Sequence, residues 1–575
     1  MIVLTGWPQP VTNGSDSPVV RFRIERAPDI YNQTATAFAV SPDGRTIAHY
    51  NAAQGGRHAL FLRNLATGEG REVPETQTFS PRPNSLFWST DSKQLVQATQ
   101  SGAFVVDVSN GVARHLCDCR FTGGSWNRNG VILLGSAGGA EGIRRVSLND
   151  FTPVQITTVD ASRGDHDGWP VFLPDGQHFL FTRVTPGVGE ATYVGSLDGG
   201  APSRLADGSR RVFIPSSSGR GAFLAGIDSS GVIVQAFNLD TMTITGTATT
   251  VLPGATAVSG SENVVLAASA AGVRPRTIPT WFDRRGASLG PAAESGFIES
   301  VALSTNGRKL VVADVTDGAA GQQNDLRMRD LATGTNTQLT FNPDNDSTPV
   351  WSPDGTRIAY TSRRAGVSLP YQRSADGTGN ETPLFPYERD AYANDWSSDG
   401  RWLLFTSRKP GSTADNDLWV VSIAGGITGR PVPYLIAPGR QQQAQLSPDG
   451  RFVAYGSDQS GAFEIYVQPF PDASQGKWIV SRGGGVEPRW SRDGKALFFF
   501  SGQTLMEVPV NLQPTFSNGA PAALFDAAIQ AGYINDSHRW QLAPDAKRFL
   551  LLTPAGQQQA PPLEVIINWP ALLRN

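Results

Sequence analysis

The stretch WSPDGTRIAYTS, residues 351–362, decides the fold. Pro353 presets the first position of a tight turn, Asp354 can cap that turn through its side chain, and Gly355 can take the positive φ that closes it. The run Ile358-Ala-Tyr-Thr-Ser362 then reads as a buried strand leaving the turn. The phrase is therefore one arm of a hairpin.

The same phrase recurs along the chain. Clear copies begin at Ser41, Trp396, Leu446 and Trp490, and weaker ones at Trp88, Trp126, Phe172, Leu303 and Leu542. Two degenerate copies start at Ser216 and Val258. From turn to turn the spacing is 38 to 52 residues, the length of a four-stranded propeller blade. A second strand follows each turn, as in ALFLRNL from Ala59, LWVVSIAGG from Leu418 and LEVIINW from Leu563. Twelve units exceed the four to eight blades of one ring. The expected fold is all-β, with tandem β-propellers built as two six-bladed rings. The expected divisions are a flexible tail over 1–18, a first propeller over 19–290 and a second over 291–575. The strand VVRFRI from Val19 has no turn phrase and is expected to close a last blade, the sixth or the twelfth.

Composition narrows the classes of function. The chain has 575 residues, which alone predicts two to four domains. With 48 basic and 51 acidic residues, it offers no basic field for nucleic acid or an anionic membrane. Its 62 glycines and 40 prolines punctuate short elements rather than long helices. No run approaches the roughly 20 apolar residues of a membrane span. Two cysteines, Cys117 and Cys119, supply no disulfide framework, and the short ring between them favours free thiols.

The turn-plus-strand unit resembles the repeat of TolB-type β-propellers, also found in the propeller of prolyl-oligopeptidase relatives. The resemblance runs from about Val19 to Trp569. A second resemblance lies in the order of phrases outside the repeat, among them LCDC at Leu116, GWPVFLPDG at Gly168, WFDRRG at Trp281, EIYVQPFP at Glu464 and VIINWPALL at Val565. In that order they resemble the C-terminal propeller region of bacterial transmembrane serine/threonine protein kinases. The chain carries no Gly-rich loop, VAIK-like lysine, HRD loop or DFG triplet, so the kinase itself is absent. Met1-Ile-Val-Leu4 would then fall where the membrane helix of such proteins ends. By this resemblance the chain is extracytoplasmic, in the periplasm or envelope. A cytoplasmic site stays open, because no signal peptide is read at its start.

Candidate chemistry is sparse. Once the blades are assigned no residues remain for an α/β-hydrolase domain, and there is no H-E-x-x-H or C-x-x-C pair. Three acidic clusters, Asp165-His166-Asp167, Asp344-Asn345-Asp346 and Asp415-Asn416-Asp417, leave calcium open as a cofactor. Only the first adds a histidine, making Asp165, His166 and Asp167 the weak metal candidates. The tryptophans at 88, 126, 351, 396 and 490 share one repeat position and are expected to pack between blades rather than bind sugar. About eight residues before each turn glycine of the second ring stand Glu299, Asp346, Tyr392, Gln442, Glu487 and His538. Their variety at a shared position marks them as the candidate ligand-binding surface.

The expectation is a non-catalytic binding module for a protein, peptide or small-molecule ligand, monomeric, with no cofactor required. By resemblance it would be the sensor half of a receptor-kinase-like system. The alternatives are a metal-dependent propeller lactonase or lyase, and a TolB-like component of an envelope complex.

Overall fold

The computed structural model describes residues 19–24, 38–52, 58–73, 86–99, 102–119, 121–136, 141–185, 188–215, 222–261, 265–270, 276–318, 321–364, 367–408, 416–423, 429–460, 463–527, 529, 537–556 and 562–574. The expected tail over 1–18, the turns of the two degenerate repeats and Asp415 lie outside them.

The described strands form twelve antiparallel sheets, eleven of four strands and one with a fifth. The turn phrase behaves as read, with one addition. Gly355 sits at φ 71° and its N–H donates to Ser352 O. Ser352 Oγ donates to Asp354 Oδ1 at 2.6 Å and accepts from Arg357 N at 2.9 Å. The serine thus ties the cap to the returning strand, and the same arrangement recurs at Ser41, Ser89, Ser447 and Ser491.

Each unit is a ring. In the first, the leading strands Phe38–Val40, Leu86–Trp88, Gly124–Trp126, His166–Phe172, Ser209–Pro215 and Ala255–Gly260 touch in succession, and the last returns to the first. These head blades 1 to 6. In the second, Ile298–Leu303, Asp346–Trp351, Asp390–Trp396, Gln441–Leu446, Val486–Trp490 and Trp540–Leu542 head blades 7 to 12. Between blades the core is apolar, and the repeat tryptophans lie in it as expected. Trp88 Nε1 donates to Ala39 O at 3.0 Å, and Trp351 Nε1 to Ala302 O at 3.1 Å, each reaching the preceding blade.

Closure departs from the expected boundaries. The chain divides into 1–273 with 559–575, and 274–558. Blade 6 runs Ala255–Gly260, Val265–Ala270, Leu563–Ile567, Val20–Ile24, so the strand at Leu563 belongs to the first ring, not the twelfth blade. Among the described residues the strand at Val20 pairs only with it, Phe22 opposite Val565. Blade 12 is likewise completed by Thr277–Asp283, which the 290/291 boundary places in the first ring, and by Ser288–Pro291, which straddles that boundary. The physical reason is ring closure: ladder hydrogen bonds between strands distant in sequence hold the ends of each ring together, Val265–Ala270 to Leu563–Ile567 in blade 6 and Thr277–Asp283 to Arg548–Pro554 in blade 12. Leu563 and Val565 also enter the apolar cluster of Ile24, Phe38, Val40 and Ile47 that seals blade 6 to blade 1.

The free-thiol expectation is corrected. Cys117 ends the strand Ala113–Cys117, and the chain bends at Asp118, bringing the two Cα atoms to 5.2 Å with the sulfurs bonded. That separation lies inside the normal disulfide range.

Candidate functional site: the two ring axes

The innermost strands are not regular. Register shifts fall at Gly168/Val171, Ser209/Val212, Ser347/Val350, Gln442/Gln445 and Val486/Arg489. Inside these bulges Trp169, Arg210, Thr348, Gln443 and Glu487 hold φ between 46° and 56°, a region that L-residues avoid. A bulge re-aims side chains next to the axis, so this repeated strain marks where the fold is specialised.

In the second ring the bulges tie the blades together. Thr361 Oγ1 accepts from Ala393 N, Asn394 Oδ1 from Ala444 N and Gln443 Oε1 from Glu487 N, at 3.0, 3.0 and 3.1 Å. Glu487 Oε2 accepts from Arg539 N at 2.9 Å, and Ser300 Oγ from His538 N at 3.3 Å. The links run blade 8 to 9, 9 to 10, 10 to 11, 11 to 12 and 12 to 7. His538 Nε2 lies 2.9 Å from Asn394 O, reaching from blade 12 to blade 9 across the ring. The carbonyl can only accept, so Nε2 carries the proton. Burial, then the neighbouring Arg489 cation, hold this imidazole well below its usual range and keep it neutral. Glu487 pairs with Arg539 at 3.1 Å, both buried. Asp395, partly buried and accepting from Leu446 N, is pushed up to about 7 by desolvation.

Of the six predicted residues, the structure brings Glu487 and His538 into this network. Gln442 is buried beside Gln443, which makes the link instead. Glu299 accepts from Asn324 Nδ2 at 2.7 Å within its own blade. Asp346, raised to about 6 by burial, accepts from Asn342 Nδ2 near the Arg364–Glu381 pair, and Tyr392 packs under Arg408. The sequence reading missed Asn394, Asp395, Arg489 and Arg539. Their signal was polar and charged residues within the leading-strand phrases AYANDW, VEPRW and HRWQL.

The metal candidates separate. Asp167 is fully buried, and both its oxygens receive Arg183, at 2.7 and 2.8 Å, with Thr157 Oγ1 also donating at 2.7 Å. Asp165 faces Arg163 at 3.7 Å. Among the described residues no group of three or more His, Cys, Asp or Glu side chains comes together as a metal site.

The first ring is built differently at its axis. A cavity of about 570 Å³ is walled by the leading strands of all six blades. Arg210 lies against it with its guanidinium 4.6 Å from the Trp169 ring centre, and both residues sit at bulges. Gly123 lets the Trp169 backbone approach so closely that a Cβ there would stand 2.8 Å from its Cα. Arg211 is buried, donating to Gln235 Oε1 at 2.9 Å.

Comparison with known proteins adds a partial likeness. No family model matches the chain. It is 28% identical over 163 residues to the Tol-Pal system protein TolB of Wolinella succinogenes, covering 28% of this chain and 36% of the relative. It is 30% identical over 118 residues to the protein of that name from Bordetella pertussis, covering 20% and 26%. The chain thus spans about a third or less of the length of these relatives. Among solved structures, a TolB candidate from Agrobacterium tumefaciens aligns with TM-score 0.38 and 17% identity, over 49% of this chain and 99% of that one. The tricorn protease aligns with TM-score 0.31 and 12% identity, over 86% and 63%. Among the described residues no helix is long and apolar enough to cross a membrane.

Proposed function

We propose that the chain is a non-catalytic binding module, acting outside the cytoplasm, that receives a peptide, protein or small ligand on the axis of its first ring. The observation that carries this reading is the axial cavity, within the size range of ligand sites and walled by hydrogen-bonded strands. The partial likeness to Tol-Pal system proteins supports an envelope role. The Cys117–Cys119 bond also fits an oxidising compartment. The ordered phrases from Leu116 to Val565 favour one form of this role, the sensor part of a receptor-kinase-like system.

The test is capture from an envelope extract on the immobilised chain, repeated with Val171→Trp, which fills the cavity from one of its walls. A partner held by the native chain, competed by free chain and lost with the tryptophan, is the expected result. Equal retention by both proteins, or none by either, would overturn the reading.

A further inference from the structure

Three observations single out one corner of the first ring's cavity. The first is charge. Arg128, Arg210 and Arg211 line the cavity, against Asp175 as its carboxylate, in a chain whose net charge is -3. Asp175 is already engaged: His178 Nδ1 lies 2.5 Å from its Oδ2, and its Oδ1 accepts from the turn N–H groups of Gln177 and His178. The second is unmet donor capacity. Trp169 Nε1 is buried without a hydrogen-bond partner, and among the described residues Arg210 makes no ion pair, its guanidinium being stacked on that same indole. Burial disfavours the Arg210 charge, with Glu190 acting on it only as a neighbouring acid.

The third observation is internal comparison. Trp169 and Arg210 hold the same left-handed bulge position that Gln443 and Glu487 hold in the second ring. There, Gln443 Oε1 and Glu487 Oε2 satisfy the next blade's N–H groups. In the first ring the two side chains at this position are donors instead, and both residues line a cavity. A stacked guanidinium keeps its N–H edge free in one plane, which suits the two oxygens of a carboxylate better than a spherical anion. The adjoining walls at Val171, Val212 and Phe213 suit an apolar body behind that carboxylate.

We infer that the first ring's axial cavity binds a ligand through its carboxylate, with Arg210 and the Trp169 indole N–H as the anchors. This rests on the binding-module reading and names the chemistry of its ligand. The carboxylate can be the C-terminus of a peptide or that of a small organic acid.

The experiment uses the full chain and four probes: a random hexapeptide library with free C-termini, the same library amidated, phenylacetate and inorganic phosphate. Binding of the free-acid library, at least tenfold weaker on amidation, identifies a peptide tail. Binding of phenylacetate in preference to the library identifies a small acid. In either case Arg210→Gln should weaken binding at least tenfold, and Arg210→Lys should fall between. Arg204→Gln, an exposed residue paired with Asp207 outside the cavity, should change nothing. Strand content and melting temperature of each variant are checked first; Trp169→Phe, which removes only the N–H, gives the second reading. Equal binding of acid and amide, phosphate binding as tightly as the acids, no binding by any probe, or indifference to both Arg210→Gln and Trp169→Phe would overturn the inference. An envelope partner retained equally by Arg210→Gln would overturn it while leaving the binding-module reading standing.

Discussion

Ala546 occupies the place that glycine fills in most copies of the turn, and it does so at φ 53°. A left-handed L-residue costs about 1–2 kcal/mol, partly offset by the backbone freedom a glycine loses on folding. Ala546→Gly should therefore stabilise the second ring by up to about 1 kcal/mol, measured by urea denaturation. Asp395 tests the buried network from the opposite side. Its folded carboxyl is pushed up to about 7, whereas an unfolded aspartate titrates near 3.9. Between those values the folded chain holds a proton that the unfolded chain releases. Its contribution to stability thus falls as pH rises from about 4 through about 7. Asp395→Asn keeps an oxygen for Leu446 N and removes the titration. The variant should melt higher than the native chain at pH 8, and the two should converge toward pH 4.

At the scale of elements, legibility followed locality. The turn phrase is encoded within six residues, so the hairpins, the blade period and the position of the tryptophans could be read directly. The bulges could not, because their left-handed residues are Trp169, Arg210, Thr348, Gln443 and Glu487 rather than glycines. This is also why counting back from each turn found Glu487 and His538 but took Gln442 in place of Gln443. Candidates in the first ring were missed for the same reason: Trp169 was visible only as a neighbour of an acidic cluster, and nothing local joined it to Arg210. The cysteines were misread because ring size was weighed without the bend at Asp118. Denatured but unreduced protein should take up no iodoacetamide, and reduction should expose two thiols, counted by intact mass.

At the scale of the molecule, each ring is closed by strands that the chain order does not put beside it. Pairing between Val20–Ile24 and Leu563–Ile567 spans almost the whole chain, and no periodicity announces it. Removing residues 559–575 should strip amide-exchange protection from blades 1 and 6, including Val265–Ala270, while Leu403–Phe405 in the second ring keeps its protection. The two closed rings differ in what fills the axis. One is tied across by His538 and Asn394, while the other presents a stacked guanidinium and an indole to a cavity. Hydroxyl-radical footprinting read by peptide mass spectrometry tests this contrast most directly. Oxidation at Trp169, with Trp540 and His538 protected, is the predicted result. Protection of Trp169 alongside oxidation of Trp540 and His538 would contradict it.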